Sequence, residues 1–265
     1  MKTISIKRKG AVRRSDVSAR LRGQLNRGEV EALTLAEILT VDFAELMKHA
    51  FPSMSVAAIK KMHAAKDQGW VGRTRLAGEI LHDEMSKNFK RMLVDMRNHP
   101  SDQVRGWGAS LVAAASKVDL QERLALTLPF ADDPNPGTRE TAWIMLRPHI
   151  ASNLKDAFRM LKPLTKHDSA NLRRFASEIT RPRGVWCTYI PTLRENPSLG
   201  LPILTPLRAD PSRYVQNSVA NWLNDASKDD PDFVRKLCRD WLKQEQAPTT
   251  AYICRRAQRT LNKKD

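Results

Sequence analysis

The segment PSDQVRGWGASLV, at residues 100–112, is the first of five similar stretches in the chain. Each begins with a polar, turn-like run and continues with a helical pattern that has a small apolar residue at a fixed place. The other four are PNPGTRETAWIML (134–146), DSANLRRFASEIT (168–180), PSRYVQNSVANWL (211–223) and TTAYICRRAQRTL (249–261). Successive stretches start 34, 34, 43 and 38 residues apart, which is the length of a helix pair with its turns. The spacing predicts an all-α, HEAT-like repeat α-solenoid, a curved array of antiparallel helix pairs.

The chain before these repeats also has helical periodicity. Phe43, Leu46, Met47 and Ala50 follow the i, i+3, i+4, i+7 spacing of an amphipathic helix, and prolines fall between such segments. No stretch alternates convincingly with the period of two that is typical of a strand. With 265 residues, 41% of them hydrophobic, the chain is long and apolar enough to bury a sizeable core.

The positive charge of the chain is concentrated at its two ends. The formal net charge is +16, of which residues 1–27 carry +8 and residues 233–265 carry +6. We predict a flexible basic arm over residues 1–27, followed by a single HEAT-like repeat domain over residues 28–265. A solvated tail without a specific role is the alternative for the arm. So basic a chain favours an anionic partner, with nucleic acid foremost.

Several classes of protein are disfavoured by what the sequence lacks. It has no HExxH, Walker or GxGxxG motif, and its three cysteines have no CxxC spacing, so we predict neither a metal site nor a cofactor. No run reaches the 18 apolar residues of a membrane helix, and the charged N-terminus does not resemble a secretory signal. These features favour a cytoplasmic protein with reduced thiols, which we expect to be a monomer.

The repeated segments are rich in arginine, and we assign them to the concave side of the predicted solenoid. Arginine binds phosphate in a bidentate fashion, so these side chains suit a nucleic-acid backbone. The predicted DNA-binding residues are Arg105, Arg139, Arg173, Arg181, Arg183, Arg213, Arg255 and Arg256. An alternative stays open, because Asp133 and Arg139 are six residues apart, as are Asp168 and Arg174. Such pairs can form structural ladders between repeats instead.

Four runs carry a resemblance to a known family. They are FADDPNPGTRETAWIMLRP (130–148), NLRRFASEITRPRGVWC (171–187), LRADPSRYVQNSVANWLNDASK (207–228) and YICRRAQRTL (252–261). Together they resemble the AlkC branch of the HEAT-like DNA glycosylases, over roughly residues 35–263. The resemblance implies excision of alkylated bases such as 3-methyladenine from duplex DNA, without metal. Some members carry an additional immunoglobulin-like domain, and this chain resembles the shorter form.

The resemblance also implies a catalytic constellation. It places acids at Glu140, Glu178 and Asp225, with Trp186 and Arg174 in supporting positions. Within a helix predicted over 170–183, the i, i+3 and i+4 spacings put Arg174, Glu178 and Arg181 on one face. An arginine beside Glu178 would keep that carboxylate ionised.

The aromatic residues and the remaining packing positions are assigned from the same spacing. Trp186 could hold a cationic base by cation–π contact. Leu172, Phe175, Ala176 and Ile179 are predicted to form the packing face opposite Glu178, and Trp107 and Trp222 are predicted to be core; Trp143 stays open. Three rival functions also stay open: a non-catalytic module that binds DNA structures, a protein scaffold and an RNA-binding repeat protein.

Overall fold

The computed structural model describes residues 8–85 and 88–263, in which it has sixteen α-helices and no strand. The predicted all-α fold class is therefore confirmed. In chain order the helices are α1 (Ala19–Asn26), α2 (Leu35–Ile38), α3 (Phe43–Ala50), α4 (Val56–Ala64), α5 (Trp70–Met85), α6 (Phe89–Arg97), α7 (Asp102–Ala114), α8 (Leu120–Ala131), α9 (Pro136–Ala151), α10 (Leu154–Leu161), α11 (Ala170–Glu178), α12 (Pro191–Glu195), α13 (Leu201–Leu204), α14 (Arg213–Ala226), α15 (Pro231–Gln244) and α16 (Pro248–Ala257).

The five repeated segments form the helices α7, α9, α11, α14 and α16. Their polar starts provide helix caps: the side chains of Ser101 and Ser169 accept hydrogen bonds from backbone N–H groups of the first turns of α7 and α11. The small residue of each repeat is buried, so that neighbouring helices can pack closely; these residues are Gly108, Ala142, Ala176, Val219 and Ala257. The repeat pattern therefore identified both where these helices lie and which of their positions pack.

The chain forms two compact units. Unit 1 comprises Met1–Lys117 and Asp133–Ala142, and unit 2 comprises Val118–Asp132 and Trp143–Asp265. The core of unit 1 includes Trp107, whose ring meets Phe43 edge to face with centroids 5.1 Å apart. The core of unit 2 includes Trp222, so the prediction that both tryptophans are core is confirmed. No change in composition marks the division, which falls inside the continuous helix α9.

The N-terminal segment differs from the flexible arm predicted for residues 1–27. From residue 8 onward it packs on unit 1, because Val17 and Leu25 are buried there. The guanidinium group of Arg8 donates to both carboxylate oxygens of Glu37, at 2.5 and 2.9 Å, and the Ala11 N–H donates to the same carboxylate. Residues 1–7 of the predicted arm lie outside the described residues.

No helix within these ranges is both long and apolar enough to cross a membrane.

Candidate active site

Glu178 is the centre of a buried polar network in unit 2. It is the last residue of α11 and is 3% exposed. Its Oε1 accepts a hydrogen bond from Nη1 of Arg181 at 2.7 Å, and its Oε2 accepts one from the Ser218 hydroxyl, also at 2.7 Å. The Arg174 guanidinium lies 3.6 Å from Oε2. Both carboxylate oxygens are thus held by donors from two different helices and from the segment after α11.

Asp225 is joined to Glu178 through a shared arginine. The Nε of Arg181 donates to Asp225 Oδ2 at 2.9 Å, while its Nη1 donates to Glu178. The other oxygen of Asp225, Oδ1, has a longer contact of 3.5 Å to Nζ of Lys228. Asp225 is 4% exposed, so one guanidinium bridges two buried carboxylates that lie 47 residues apart in the sequence.

The pKa values of the two carboxylates are shifted in opposite directions. Burial raises the pKa of Glu178, but the charges of Arg174 and Arg181 and the Ser218 hydroxyl outweigh burial, so this pKa lies below its ordinary value. Burial also raises the pKa of Asp225, and Arg181 and Lys228 offset only part of that rise, so this pKa lies above its ordinary value. The network therefore holds one carboxylate firmly ionised and makes the other a stronger base.

Helix α11 is shorter than the predicted helix over 170–183. It ends at Glu178 because Pro182 restricts the backbone of the residue before it and cannot donate a backbone hydrogen bond. Arg181 therefore lies beyond the helix rather than on its face, although its side chain still reaches Glu178. The predicted packing face is confirmed, since Leu172, Phe175, Ala176 and Ile179 are all buried.

Trp186 lies in an irregular loop beside this network. We call residues 182–190 the tryptophan loop; it is closed by a 3.0 Å hydrogen bond from Ile190 N–H to the Pro182 carbonyl. Trp186 has a φ of 67° and is 52% exposed. Burial raises the pKa of the next residue, Cys187, whose thiol also lies within the fields of Arg181, Glu178 and Asp225. The loop thus carries a half-exposed indole directly before a thiol that lies in the fields of both carboxylates.

The tryptophan loop is tied to the rest of unit 2 by a second arginine cluster. Arg183 and Arg194 both pair with the Asp229 carboxylate, at 2.6 and 2.8 Å, and hydrogen bonds from these two side chains hold the pKa of Asp229 well below its ordinary value. Both guanidinium groups also lie over the ring of Tyr189, at 5.2 and 5.5 Å from its centroid. Arg183, which the sequence predicted to bind DNA, is thus engaged within the protein.

Three other predicted DNA-binding arginines form a structural ladder of a different kind from the predicted Asp–Arg pairs: they bind backbone carbonyls, and the third is Arg173, where the spacing had indicated Arg174. In successive repeats, Nη1 of each donates to the two backbone carbonyls that lie five and six residues earlier. The bonds run from Arg105 to His99 and Pro100, from Arg139 to Asp133 and Pro134, and from Arg173 to His167 and Asp168. These arginines fix the turn in front of their own helix.

Two members of the ladder also reach the next repeat. Arg105 pairs with Asp133 at 2.8 Å and with Glu31 at 2.8 Å, and Arg173 pairs with Asp210 at 2.6 Å. Both aspartates are buried. These contacts link consecutive repeats, and little of either guanidinium group is exposed to solvent.

The last two repeats carry arginines on aromatic rings. Arg213 lies 3.5 Å from the centroid of Tyr252, and Arg255 and Arg256 each lie 5.7 Å from it. The Arg174 guanidinium lies 4.4 Å from the centroid of Tyr214 in the same unit. Neither tyrosine was predicted from the sequence, although Tyr252 stands three residues before Arg255, a helical spacing that brings a ring and a guanidinium group together.

Glu140, the third predicted catalytic acid, is half-buried on the part of α9 that belongs to unit 1. It therefore belongs to a different unit from Glu178 and Asp225. Trp143, which the sequence left open, is buried. Unit 2 brings Glu178, Asp225, Arg174 and Arg181 together, with Trp186 on the adjoining loop.

No family model matches the chain. It is similar to the uncharacterized protein YhaZ of Bacillus subtilis, with 40% identity over 124 residues, which are 47% of this chain and 34% of YhaZ. The match thus spans about a third of that relative.

Solved structures give a broader likeness. The alkylpurine DNA glycosylase AlkC of Pseudomonas fluorescens, bound to DNA containing an abasic site analog, matches 89% of this chain with a TM-score of 0.70 and 25% identity. The match covers 62% of that chain, so this chain spans less than two thirds of its length. Protein smu.31 of Streptococcus mutans UA159 has the same fold, with a TM-score of 0.58, 23% identity and coverage of 71% of this chain and 90% of its own. The resemblance to AlkC-like proteins is confirmed.

Proposed function

We propose that this chain, whose helical-repeat fold is that of AlkC, is a DNA glycosylase. Its reaction is hydrolysis of the N-glycosidic bond of alkylated bases in duplex DNA, with 3-methyladenine as the first expected substrate. The observation that carries the proposal is the pair of buried carboxylates, Glu178 and Asp225, bridged by Arg181. Burying two carboxylates costs hydration energy, which favours a role for this pair beyond packing.

The chemistry of an N3-alkylated purine suits this pair. The lesion is cationic, so the base leaves with little protonation, and the sugar becomes an oxocarbenium-like cation. Glu178, held ionised by Arg174 and Arg181, supplies the negative charge that stabilises this cation. Water then adds to the sugar carbon, and Asp225, whose pKa is raised, accepts the proton of that water. In this scheme the two carboxylates supply the charge and the base, and the reactants are water and DNA alone.

Trp186 supplies the aromatic surface for the lesion. Its indole is half-exposed, and the thiol of the next residue, Cys187, lies in the fields of Glu178 and Asp225, so we propose that a positively charged base stacks on this indole. The electron-rich face of the ring favours the alkylated, cationic base over its neutral counterpart.

The arginines around Tyr252 are the proposed contacts to the DNA backbone. Arg213 and Arg255 are exposed, and a ring beneath a guanidinium group leaves its N–H edge directed away from the ring. Together with Arg256 and Arg174 they replace the earlier assignment to Arg105, Arg139 and Arg173, which bind turn carbonyls. We expect the protein to act as a monomer in the cytoplasm.

Release of bases from randomly methylated duplex DNA tests the proposal. Wild type is expected to release 3-methyladenine, and Glu178→Gln to lower the single-turnover rate at least 100-fold, as loss of a positioned charge does. Its affinity for DNA with an abasic site analogue should be equal or tighter, because a negative charge is removed. Glu195→Gln, an exposed change of the same kind in unit 2, is the control and should release base at the wild-type rate.

Two outcomes would count against the proposal. If wild type binds methylated DNA but releases no base, the protein is a non-catalytic DNA-binding module. If Glu178→Gln loses binding and release equally, the network only supports the fold.

A non-catalytic scaffold is the second candidate, and one observation favours it. Arg105, Arg173 and Arg183 all pair with carboxylates of the protein itself, so these arginines need no nucleic acid to explain them. A scaffold predicts no base release and no difference in DNA affinity between wild type and Glu178→Gln.

A further inference from the structure

Arg147 is a buried cation that the proposed chemistry does not use. It lies on α9 within unit 2 and is 2% exposed. Its guanidinium group donates to three backbone carbonyls: Nη1 to Ile179 at 2.7 Å, Nη2 to Arg181 at 2.5 Å and Nε to Thr188 at 3.2 Å. These carbonyls lie just after α11, just before the tryptophan loop and near the end of that loop.

The contacts of Arg147 join the carboxylate network to the tryptophan loop. Ile179 directly follows Glu178, and Arg181 is the residue that bridges Glu178 and Asp225. Thr188 is two residues beyond Trp186. A single rigid group therefore links the backbone that follows Glu178 and includes Arg181 to the backbone that carries the indole.

Arginine alone has the geometry for this task. Its planar group presents five N–H donors in a fixed fork, so it can satisfy three carbonyls that approach from different directions. A lysine ammonium group is a point donor on a flexible chain and would hold fewer of them in one arrangement. The loop also closes tightly over the guanidinium: a Cβ at Gly184 would lie 3.2 Å from Cζ of Arg147 and would collide with the Cys187 sulfur.

The backbone of Trp186 shows why such support is needed. Among the described residues, Trp186 is the one non-glycine residue with a positive φ. A bulky residue adopts this conformation only where the surrounding structure holds it there. The three bonds from Arg147 and the closing bond from Ile190 to Pro182 provide that hold.

From these contacts we infer that Arg147 is a positioning residue, which fixes Trp186 relative to Glu178 and Asp225 so that the base and the sugar of the lesion are held together. The inference rests on the proposed function. It concerns orientation alone, since all three guanidinium nitrogens of Arg147 donate to backbone carbonyls of the protein.

The test replaces Arg147 by Met and by Lys and follows Trp186 directly. Trp186 is 52% exposed, while Trp70, Trp107, Trp143, Trp222 and Trp241 are all buried. Acrylamide quenching of tryptophan fluorescence, corrected with Trp186→Phe, therefore reports the environment of this one ring. Arg123→Met is the control, because Arg123 is also a buried arginine of unit 2 that donates to a backbone carbonyl, that of Val118.

We expect Arg147→Met to change the quenching of Trp186 and to lower the single-turnover rate of base release about 100-fold, the cost of a misplaced reacting group. Its affinity for DNA with an abasic site analogue should stay within threefold of wild type. Arg147→Lys should give a quenching and a rate between those of wild type and Arg147→Met. Arg123→Met should change neither quenching nor rate. A folded Arg147→Met protein with wild-type quenching and wild-type rate would overturn the inference.

Gly184→Ala tests the same point if Arg147→Met does not fold. Its added methyl group displaces the loop without removing the arginine, so the same changes in quenching and rate are expected. Wild-type values in that variant would refute the inference. If wild type itself releases no base, the proposed function fails, while the quenching experiment still decides whether Arg147 holds Trp186.

Discussion

Asp102 is a carboxylate buried at the start of α7, outside the candidate active site. Its Oδ1 accepts a hydrogen bond from Ala32 N–H at 2.8 Å, and its Oδ2 accepts one from the Gln103 amide at 2.7 Å. Burial raises its pKa to about 6, and these two bonds and the charge of Arg105 offset only part of the effect. Asp102 thus ionises in the folded protein at a higher pH than in the unfolded chain.

The raised pKa gives the stability of the protein a pH dependence with a definite sign. Below pH 3.8 the carboxyl group is protonated in both states and its burial carries no charge penalty. As pH rises through 6 the unfolded chain has already released this proton, so the free energy of unfolding falls. We expect Asp102 to contribute a decrease of about 1 kcal/mol between pH 5 and 7.5.

Asp102→Asn should remove this contribution. Between pH 5 and 7.5, the free energy of unfolding measured with urea should fall less for the variant than for wild type. The variant should also be less stable by about 1 kcal/mol at both pH values, because it loses the bond to Gln103. Asp67→Asn, an exposed change in the same unit, should keep the wild-type dependence. Identical pH dependence in wild type and Asp102→Asn would mean that Asp102 titrates normally.

Single residues also mark the limit of prediction from sequence. Glu178 and Asp225 could be predicted because the motifs around them resemble a family. Ser218, which donates to Glu178, could not, because a serine within a helix has no distinctive pattern and lies 40 residues from its partner. Nor could the sequence distinguish the roles of Arg147 and Arg213. Arg147 binds carbonyls that are 32 to 41 residues away in the chain, whereas Arg213 is exposed and lies over the ring of Tyr252.

At the scale of elements, the ladder arginines stabilise the junctions between repeats. Arg173, at the start of α11, donates to the turn before its own helix and pairs with Asp210, before α14. Asp210 in turn accepts a hydrogen bond from Ser212 N–H. One side chain thus fixes the turns in front of two consecutive repeated helices.

Arg173→Met should therefore destabilise the fold rather than weaken DNA binding. The change leaves the buried Asp210 carboxylate without its cation, which costs about 3 kcal/mol. Urea unfolding measures the loss, and DNA affinity measured where the variant is folded should match wild type. Arg239→Met, an exposed change on α15, should stay within about 0.5 kcal/mol. Unchanged stability with weaker DNA binding would restore the phosphate role predicted from the sequence.

The ends of elements were harder to predict than their existence. The repeat spacing identified α7, α9, α11, α14 and α16, because a small buried residue in each is required for close packing. The predicted helix over 170–183 ran five residues past its observed last residue, Glu178, because its helical spacing of charges was followed across Pro182. The error affects the candidate site, because residues 179–183 lead into the tryptophan loop and form its first two positions.

At the scale of the whole molecule, the charge distribution is the property that can be read most directly from the sequence. The N-terminal 27 residues carry a net charge of +8. The structure distinguishes a charge that is held in an ion pair from charges that are exposed. Arg8 is paired with Glu37, whereas Arg13, Arg14, Arg20 and Arg22 are exposed. Because residues 8–27 pack on unit 1, deleting them would expose Val17 and Leu25 contacts as well as remove charge. Substitution is the cleaner experiment.

Replacing Arg13, Arg14, Arg20 and Arg22 by Gln should flatten the salt dependence of DNA binding if this segment contacts the backbone. Each arginine that neutralises a phosphate contributes about 0.9 to the slope of log affinity against log salt concentration, so two contacts would lower its magnitude by about 1.8. The matched control replaces four exposed lysines of the same unit, Lys48, Lys60, Lys61 and Lys66, and removes the same total charge. A net-charge effect would change both slopes equally, and an unchanged slope in the arginine variant would show that the segment makes no phosphate contact. A change confined to the arginine variant would instead place DNA along unit 1, beyond the candidate site in unit 2.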